Sequence, residues 1–105
     1  MIEGRALAVK ASPLRLTSSM IAMGTAALPP GFRTTPHAHI AEEIAIVLSG
    51  SGVVDIDDTA YPVEAGMVLL TPSNSSHTTA CAPGRDPLVI LWFYAPPGSE
   101  RRWLT

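Results

Sequence analysis

The sequence has little charge, a single cysteine and no long hydrophobic run. Charged residues make up 15% of the 105 residues, and the formal net charge is −2. Because no run of Lys or Arg is longer than Arg101-Arg102, we expect no nucleic-acid partner. Cys81 cannot form an intramolecular disulfide and suits a reducing compartment. No apolar stretch approaches the ~20 residues of a membrane span or forms a signal-peptide core, so we expect a cytoplasmic protein with no membrane partner.

The spacing of turn-forming residues predicts an all-β protein. Gly, Pro, Asn and Asp signals recur roughly every 8–12 residues, which is typical of a sandwich or barrel, and no segment has a convincing amphipathic helical pattern. The length allows one domain. Strands are predicted in residues 14–28, 43–48, 53–56, 60–63, 67–71, 77–82 and 88–94. Segment 43–48 carries apolar residues on both faces, which predicts a strand buried on both sides.

The three histidines occur in two stretches that begin at glycines, 31–50 and 66–77. In an extended chain His37 and His39 point to the same face, roughly 6.6 Å apart. A bend between residues 40 and 42 would bring Glu43 to the same cavity on the next strand, and His77 begins a later strand. Imidazoles and a carboxylate form a ligand set for a divalent transition metal, so these four residues predict a metal site with open positions for water or substrate.

These residues also resemble the motifs of the cupin superfamily. The first motif, G-x5-H-x-H-x3,4-E-x6-G, is matched by Gly31, His37, His39, Glu43 and Gly50. The second motif, G-x5-P-x-G-x2-H-x3-N, is matched by Gly66, Pro72 and His77. Asn74 replaces a motif glycine and tolerates a left-handed backbone, whereas Cys81 replaces the motif asparagine. The motifs that carry the resemblance span about half of the chain. Their short separation is similar to that in small single-domain members of the superfamily.

The resemblance implies a single cupin domain over residues 1–105, an antiparallel β-barrel or double-sheet jelly roll of six to eight strands. Its metal-binding core would cover residues 31–82, and residues 1–12 and 99–105 would be flexible or contact a second subunit. The implied cofactor is one divalent ion (Fe, Mn, Ni, Zn, Co or Cu), held by His37, His39, Glu43 and His77. A homodimer through sheet packing is suggested by Ile44, Ile46 and Leu48, together with the N-terminal strands and segment 88–94.

Two classes of function remain open on the sequence. The first is a metal-dependent enzyme that acts on a small organic molecule in the barrel, as an oxygenase, isomerase, lyase or cyclase. The second is a non-catalytic cupin that binds or senses a small molecule. Weak candidates for acid–base roles are Glu42, Arg33, Tyr61 and Tyr94. Candidate pocket residues are Arg33, Thr35, Cys81 and Trp92.

Several of these residues have an alternative interpretation. Glu42 would replace Glu43 as the ligand if its strand began one residue early, although the motif spacing favours Glu43. Arg33 shares strand parity with His37 and would grip a substrate carboxylate if it pointed inward, but a solvent-facing arginine is the simpler interpretation. Cys81 and Trp92 fit core packing as well as a pocket.

Overall fold

The fold is that of a computed structural model, which describes the backbone of residues 6–11 and all of residues 21–99. This part of the chain forms eight β-strands: β1 (Ala6–Ala11), β2 (Ala22–Leu28), β3 (Glu42–Ser49), β4 (Ser51–Ile56), β5 (Thr59–Glu64), β6 (Val68–Thr71), β7 (His77–Cys81) and β8 (Leu88–Ala95). No helix in the described residues is long and apolar enough to cross a membrane.

The strands form two antiparallel sheets. The large sheet has the order β1-β2-β8-β3-β6, and the small sheet has the order β5-β4-β7. Strand neighbours are not always neighbours in sequence, because β8 inserts between β2 and β3, and β7 pairs with β4. The predicted all-β antiparallel jelly-roll architecture is confirmed.

The chain between β2 and β3 extends the small sheet past β7. Single bridges join Arg33 to Ala80 and His37 to His77 in antiparallel fashion. Thr34, which is almost fully buried, reinforces this pairing: its amide donates to the Thr79 carbonyl, and its hydroxyl accepts from the Thr79 amide. This pairing brings His37 beside the strand that carries His77.

The core lies between the inner faces of the two sheets. Alternate residues of β2 and β8 are buried, which matches the two-residue period of a strand with one face on the core. Leu28 and Leu88 are opposite each other in the β2–β8 pairing and are among the most completely buried side chains. Gly52 allows close approach of β4 and β7, because a Cβ there would collide with the carbonyl oxygen of Ala80.

Within the described residues, β3 is buried on its inner face only. Its inner face is buried at Ala45 and Val47, but Ile44 and Leu48 on the outer face are exposed. The outer face of the neighbouring β6 is exposed as well, with Val68 at 63% and Leu70 at 53%. The prediction of a strand covered on both sides was therefore wrong for the single chain, since apolar residues on both faces show a tendency to be covered but not what covers them.

The predicted turns have the backbone conformations that their residues favour. Asp57 and Asp58 both have positive φ, as a two-residue hairpin between β4 and β5 requires, and Asn74 is left-handed with φ of 62°. Strand β1 was not predicted. Of the predicted strand region 14–28, only the part from residue 21 onward is described, and it forms β2. Within the predicted arm 1–12, residues 6–11 form β1 and pair with β2. The rest of that arm and residues 100–105 of the other lie outside the described residues, which leave out 1–5, 12–20 and 100–105.

Candidate metal centre

His37 and His77 face each other across a two-stranded pairing. The amide of each residue donates to the carbonyl of the other, over 3.1 and 2.9 Å. Residues directly opposite in an antiparallel pair point to the same side, and the two imidazole centroids are accordingly 4.2 Å apart. Backbone pairing alone therefore brings together two histidines that are 40 residues apart in the sequence.

His39 and Glu43 complete the cluster from the large-sheet side. The His39 ring lies 5.0 Å from that of His77, and its Nε2 is 3.2 Å from Oε1 of Glu43. The same carboxylate oxygen is 3.6 Å from Nε2 of His77. One ring nitrogen from each histidine lies within 4.8 Å of those of the other two. The four side chains that the sequence singled out as ligands thus converge at one end of the barrel.

Each imidazole is oriented by a backbone carbonyl of its own loop. Nδ1 of His37 lies 3.1 Å from the Thr35 carbonyl oxygen. The equivalent distances are 2.8 Å from His39 to the Ala41 carbonyl and 3.0 Å from His77 to the Ser75 carbonyl. Because a carbonyl oxygen can only accept, Nδ1 carries a proton in all three rings. The other nitrogen, Nε2, is then available as a metal ligand.

The electrostatics of Glu43 call for a positive charge in the cluster. Burial on its own raises the pKa of the Glu43 carboxyl, but hydrogen bonds to His39 and His77 and the charge of those imidazoles outweigh it and lower this pKa from 4.5 to about 2. Glu43 is therefore a carboxylate at neutral pH. With Nδ1 protonated, the Nε2 lone pairs of neutral histidines would face this carboxylate. Either added protons or a metal cation can satisfy that arrangement, so the donor set fits a divalent ion.

Two aromatic rings lie against the inner side of the cluster. The Tyr94 ring is 4.6 Å from the ring of His39, and Trp92 is 4.6 Å from Tyr94 on the same face of β8. Both residues are only 3% exposed. Strand register explains the arrangement, since Tyr94 is opposite Glu43 and Trp92 is opposite Ala45. The space on this side of His39 is filled by the protein's own rings.

Neighbouring loops hold the segment that carries His39, and sequence reasoning missed the residues that do so. The Ser73 hydroxyl donates to the Ile40 carbonyl over 2.6 Å, and the Asn74 amide donates to the His39 carbonyl over 2.8 Å. The Ala41 amide donates to the Ser99 hydroxyl oxygen over 3.4 Å. Proximity of Ser73 and Asn74 to the second motif was the available signal, whereas nothing in the sequence pointed to Ser99.

The predicted acid–base candidates lie in different surroundings. Glu42 is exposed, on the opposite face of β3 from Glu43, and Tyr61 is exposed as well. Arg33 forms an exposed ion pair with Asp55, 3.2 Å between Nη1 and Oδ2. Tyr94 is the candidate that contacts the cluster.

The predicted pocket residues are likewise spread over several places. Thr35 is exposed and contributes its carbonyl to the His37 ring. Cys81 is a buried free thiol whose Sγ lies 3.4 Å from the carbonyl oxygens of Ala82 and Asp86. Trp92 packs behind Tyr94. Whether any of these residues touches a substrate stays a prediction.

Comparison with known proteins agrees with the sequence motifs. Residues 24–94 match the family model of the cupin domain. The chain belongs to the cupin family. This cupin is 39% identical to Protein SchB of Streptomyces halstedii over 56 residues, which cover 52% of this chain and 41% of SchB. It spans about half the length of the curated relatives that it matches.

Solved structures of other proteins have the same fold. A cupin 2 domain-containing protein from Halorhodospira halophila superposes with a TM-score of 0.82 at 18% identity, over 90% of this chain and 66% of that one. A predicted oxalate decarboxylase from Thermotoga maritima gives a TM-score of 0.77 at 26% identity, over 89% and 81% of the two chains.

Proposed function

We propose that this cupin is a divalent-metal-dependent enzyme that acts on a small organic molecule. The observation that carries the proposal is the orientation of the three imidazoles. Each has Nδ1 bonded to a backbone carbonyl, and the cluster faces one partly buried carboxylate. His37, His39, Glu43 and His77 are the proposed ligands, and a bound ion would supply Lewis-acid or redox chemistry.

The protein's own residues set the conditions for that chemistry. Glu43 stays ionised at neutral pH and offsets part of the charge of a divalent ion. His37 is more exposed than His39 and His77. Tyr94 is the one predicted acid–base candidate that contacts the cluster, through the His39 ring. An enzyme is also in keeping with the similarity to a predicted oxalate decarboxylase.

A non-catalytic cupin that binds or senses a small molecule is the second candidate. The specific observation in its favour is that Glu42 and Tyr61 are exposed and Arg33 is paired with Asp55. Few groups near the cluster are therefore placed to transfer a proton. Turnover of any substrate by the metal-loaded protein would decide for the enzyme, whereas saturable binding without turnover would decide for the sensor.

A homodimer in the cytoplasm completes the proposal. Ile44 and Leu48 of β3 and Val68 and Leu70 of β6 form a continuous exposed apolar patch on the outer face of the large sheet, which we call the outer patch. Soluble monomers rarely expose contiguous apolar patches beyond a few hundred Å². A second copy of the chain would cover this patch through sheet packing. The free thiol of Cys81 is in keeping with a reducing compartment.

Metal content tests the central claim directly. Purified wild-type protein is expected to carry close to one divalent ion per chain, and His39→Ala is expected to lose it, since removing one ligand leaves an incomplete cage. Glu42→Gln is the matched control, because Glu42 is next to Glu43 but points away from the cluster. Wild type that stays metal-free after reconstitution, or a His39→Ala variant that keeps its full content, would refute the proposed metal centre.

A further inference from the structure

The inner side of the cluster leaves little room for a ligand. Tyr94 covers the His39 ring and Trp92 covers Tyr94, and both are almost completely buried. A molecule bound at the histidines therefore has to extend along the outside of the barrel end.

A cavity of about 540 Å³ lies beside His39 at that end. It is bounded by the loop that follows His39 and by the loop that follows β8, and its lining consists of His39, Ile40, Ala41, Pro96, Pro97, Gly98 and Ser99. Among the residues that the structure describes, no acidic or basic side chain other than the His39 imidazole lines this cavity. Its volume is in the range of small-molecule sites. The chemistry of the walls suits an uncharged apolar group.

The wall formed by Ile40 is both exposed and held in place. Ile40 is 71% exposed, which is unusual for a residue next to a buried histidine. Its carbonyl accepts from the Ser73 hydroxyl, and the residues on either side of it are bonded to Asn74 and Ser99. A fixed backbone that presents an apolar side chain to solvent is a preorganised binding surface, because ordering the loop costs little when a ligand binds.

Two other cavities fit such a ligand less well. A cavity of about 350 Å³ beside His77 contains Asp55 and Asp58, and its Arg33 is already paired with Asp55. A groove of about 740 Å³ on the outer face of the small sheet contains Val53 and Pro62 but none of the histidines. The cavity beside His39 combines an apolar wall with a residue of the cluster in its lining.

We infer that the ligand of this site has an oxygen-donor head at the histidine cluster and an uncharged apolar substituent in the cavity between residues 39–41 and 96–99. Ile40 is the specificity-determining residue, because its side chain gives the substituent an apolar surface. This inference rests on the proposed metal function and adds the class of ligand to it.

Two hydroxamates with the same chelating head test the inference on cobalt-loaded protein. Acetohydroxamate carries a methyl group and benzohydroxamate a phenyl ring. Titration calorimetry and the visible spectrum of the cobalt centre report binding without any need for turnover. We expect benzohydroxamate to bind about tenfold more tightly than acetohydroxamate, from partial burial of the ring. Ile40→Ser is expected to remove most of that preference and to leave acetohydroxamate affinity within about twofold of wild type.

The controls separate this cavity from the other two. Val53→Ser removes apolar surface from the groove on the small sheet, and succinohydroxamate carries a carboxylate in place of the ring. Failure of both hydroxamates to bind, a preference that survives Ile40→Ser or disappears in Val53→Ser, or tighter binding of the carboxylate probe would each overturn the inference. Cobalt content is measured before any hydroxamate is added, so a protein that takes up no cobalt refutes the metal function itself.

Discussion

The two sheets of this barrel present different outer faces to solvent. The outer face of the small sheet carries the Arg33–Asp55 ion pair and the exposed residues Ala60, Pro62 and Glu64 of β5. The outer face of the large sheet is apolar along β3 and β6, with Glu42 at one end. The outer face of the small sheet is therefore partly charged and suits contact with solvent. The large sheet is apolar on both faces along β3 and β6, and the core of the single chain covers only the inner face.

Strand β3 combines the two kinds of surface within a single strand. Its inner face carries Glu43 at the histidine cluster, and its outer face carries Ile44 in the outer patch. Adjacent residues of one strand thus serve the proposed metal centre and the proposed subunit contact, on opposite sides of a single sheet. Three variants test how far the two sheets and the two faces act independently.

The largest expected effect comes from filling the close contact within the small sheet. Gly52→Val would place side-chain atoms against the carbonyl oxygen of Ala80, which belongs to the backbone of β7 and cannot rotate away. We expect a loss of roughly 3 kcal/mol or more in the free energy of unfolding, seen as a melting temperature lowered by about 10 °C or more, on the order expected for a domain of this size.

Gly66→Asn is the control for that variant. Gly66 has positive φ, and no atom lies within 4 Å of the position that a Cβ would take. Asparagine at this position would therefore bear only the cost of a positive φ and no steric clash. A loss of about 1 kcal/mol or less is expected. Equal melting temperatures for the Gly52 and Gly66 variants would show that β4 and β7 can move apart at little cost.

The next effect concerns the outer face of the large sheet. Leu70→Glu places a carboxylate in the middle of the outer patch, opposite Ile44. A carboxylate buried in the contact without a partner is unfavourable, so we expect dimer dissociation to rise at least about 100-fold. Sedimentation velocity measures this, with Ala60→Glu on the exposed outer face of the small sheet as control. A wild-type protein that sediments as a monomer would contradict the dimer.

The smallest expected effect is on the pH dependence of stability, which should differ between a variant on the inner face of β3 and one on its outer face. The pKa of Glu43 is lower in the folded protein than its ordinary 4.5, so its stabilisation is present above pH 4.5 and is lost as pH falls toward about 2. For metal-free protein the loss is at most about 3 kcal/mol. Glu43→Gln is expected to flatten this acid dependence in urea unfolding, and Glu42→Gln is expected to keep it. Identical acid profiles for the two variants would argue against the buried carboxylate.

The sequence predicted the positions of the four cluster residues because their constraints are local. His37 and His39 share a face by strand alternation, and turn residues mark where Glu43 and His77 begin new strands. The carbonyl partners of the rings, from Thr35, Ala41 and Ser75, depend on loop shapes that alternation does not specify. The contact of Ser99 with Ala41 joins residues 58 positions apart and needed the fold itself.

The sequence pattern predicted local turns and strands correctly, but it did not predict features that depend on contact with another strand or another surface. The hairpin at Asp57-Asp58 and the left-handed Asn74 followed from residue preferences alone. Strand β1 pairs along β2 in a register that no local signal specifies, and it was missed. Segment 43–48 was correctly predicted as a strand and wrongly predicted as covered on both sides, because a sequence does not distinguish cover by its own chain from cover by another.

The bond between each imidazole and a carbonyl two residues away has a consequence for how such a barrel can diversify. Each ring is oriented in part by its own short loop, through the bond between Nδ1 and that carbonyl. Substitutions at the rim, such as those at Ile40 or Pro97, can then change which molecule is accepted while the nitrogen donors keep their aim. Evolution could thus change the ligand specificity of the rim several times while the histidine cluster stays the same.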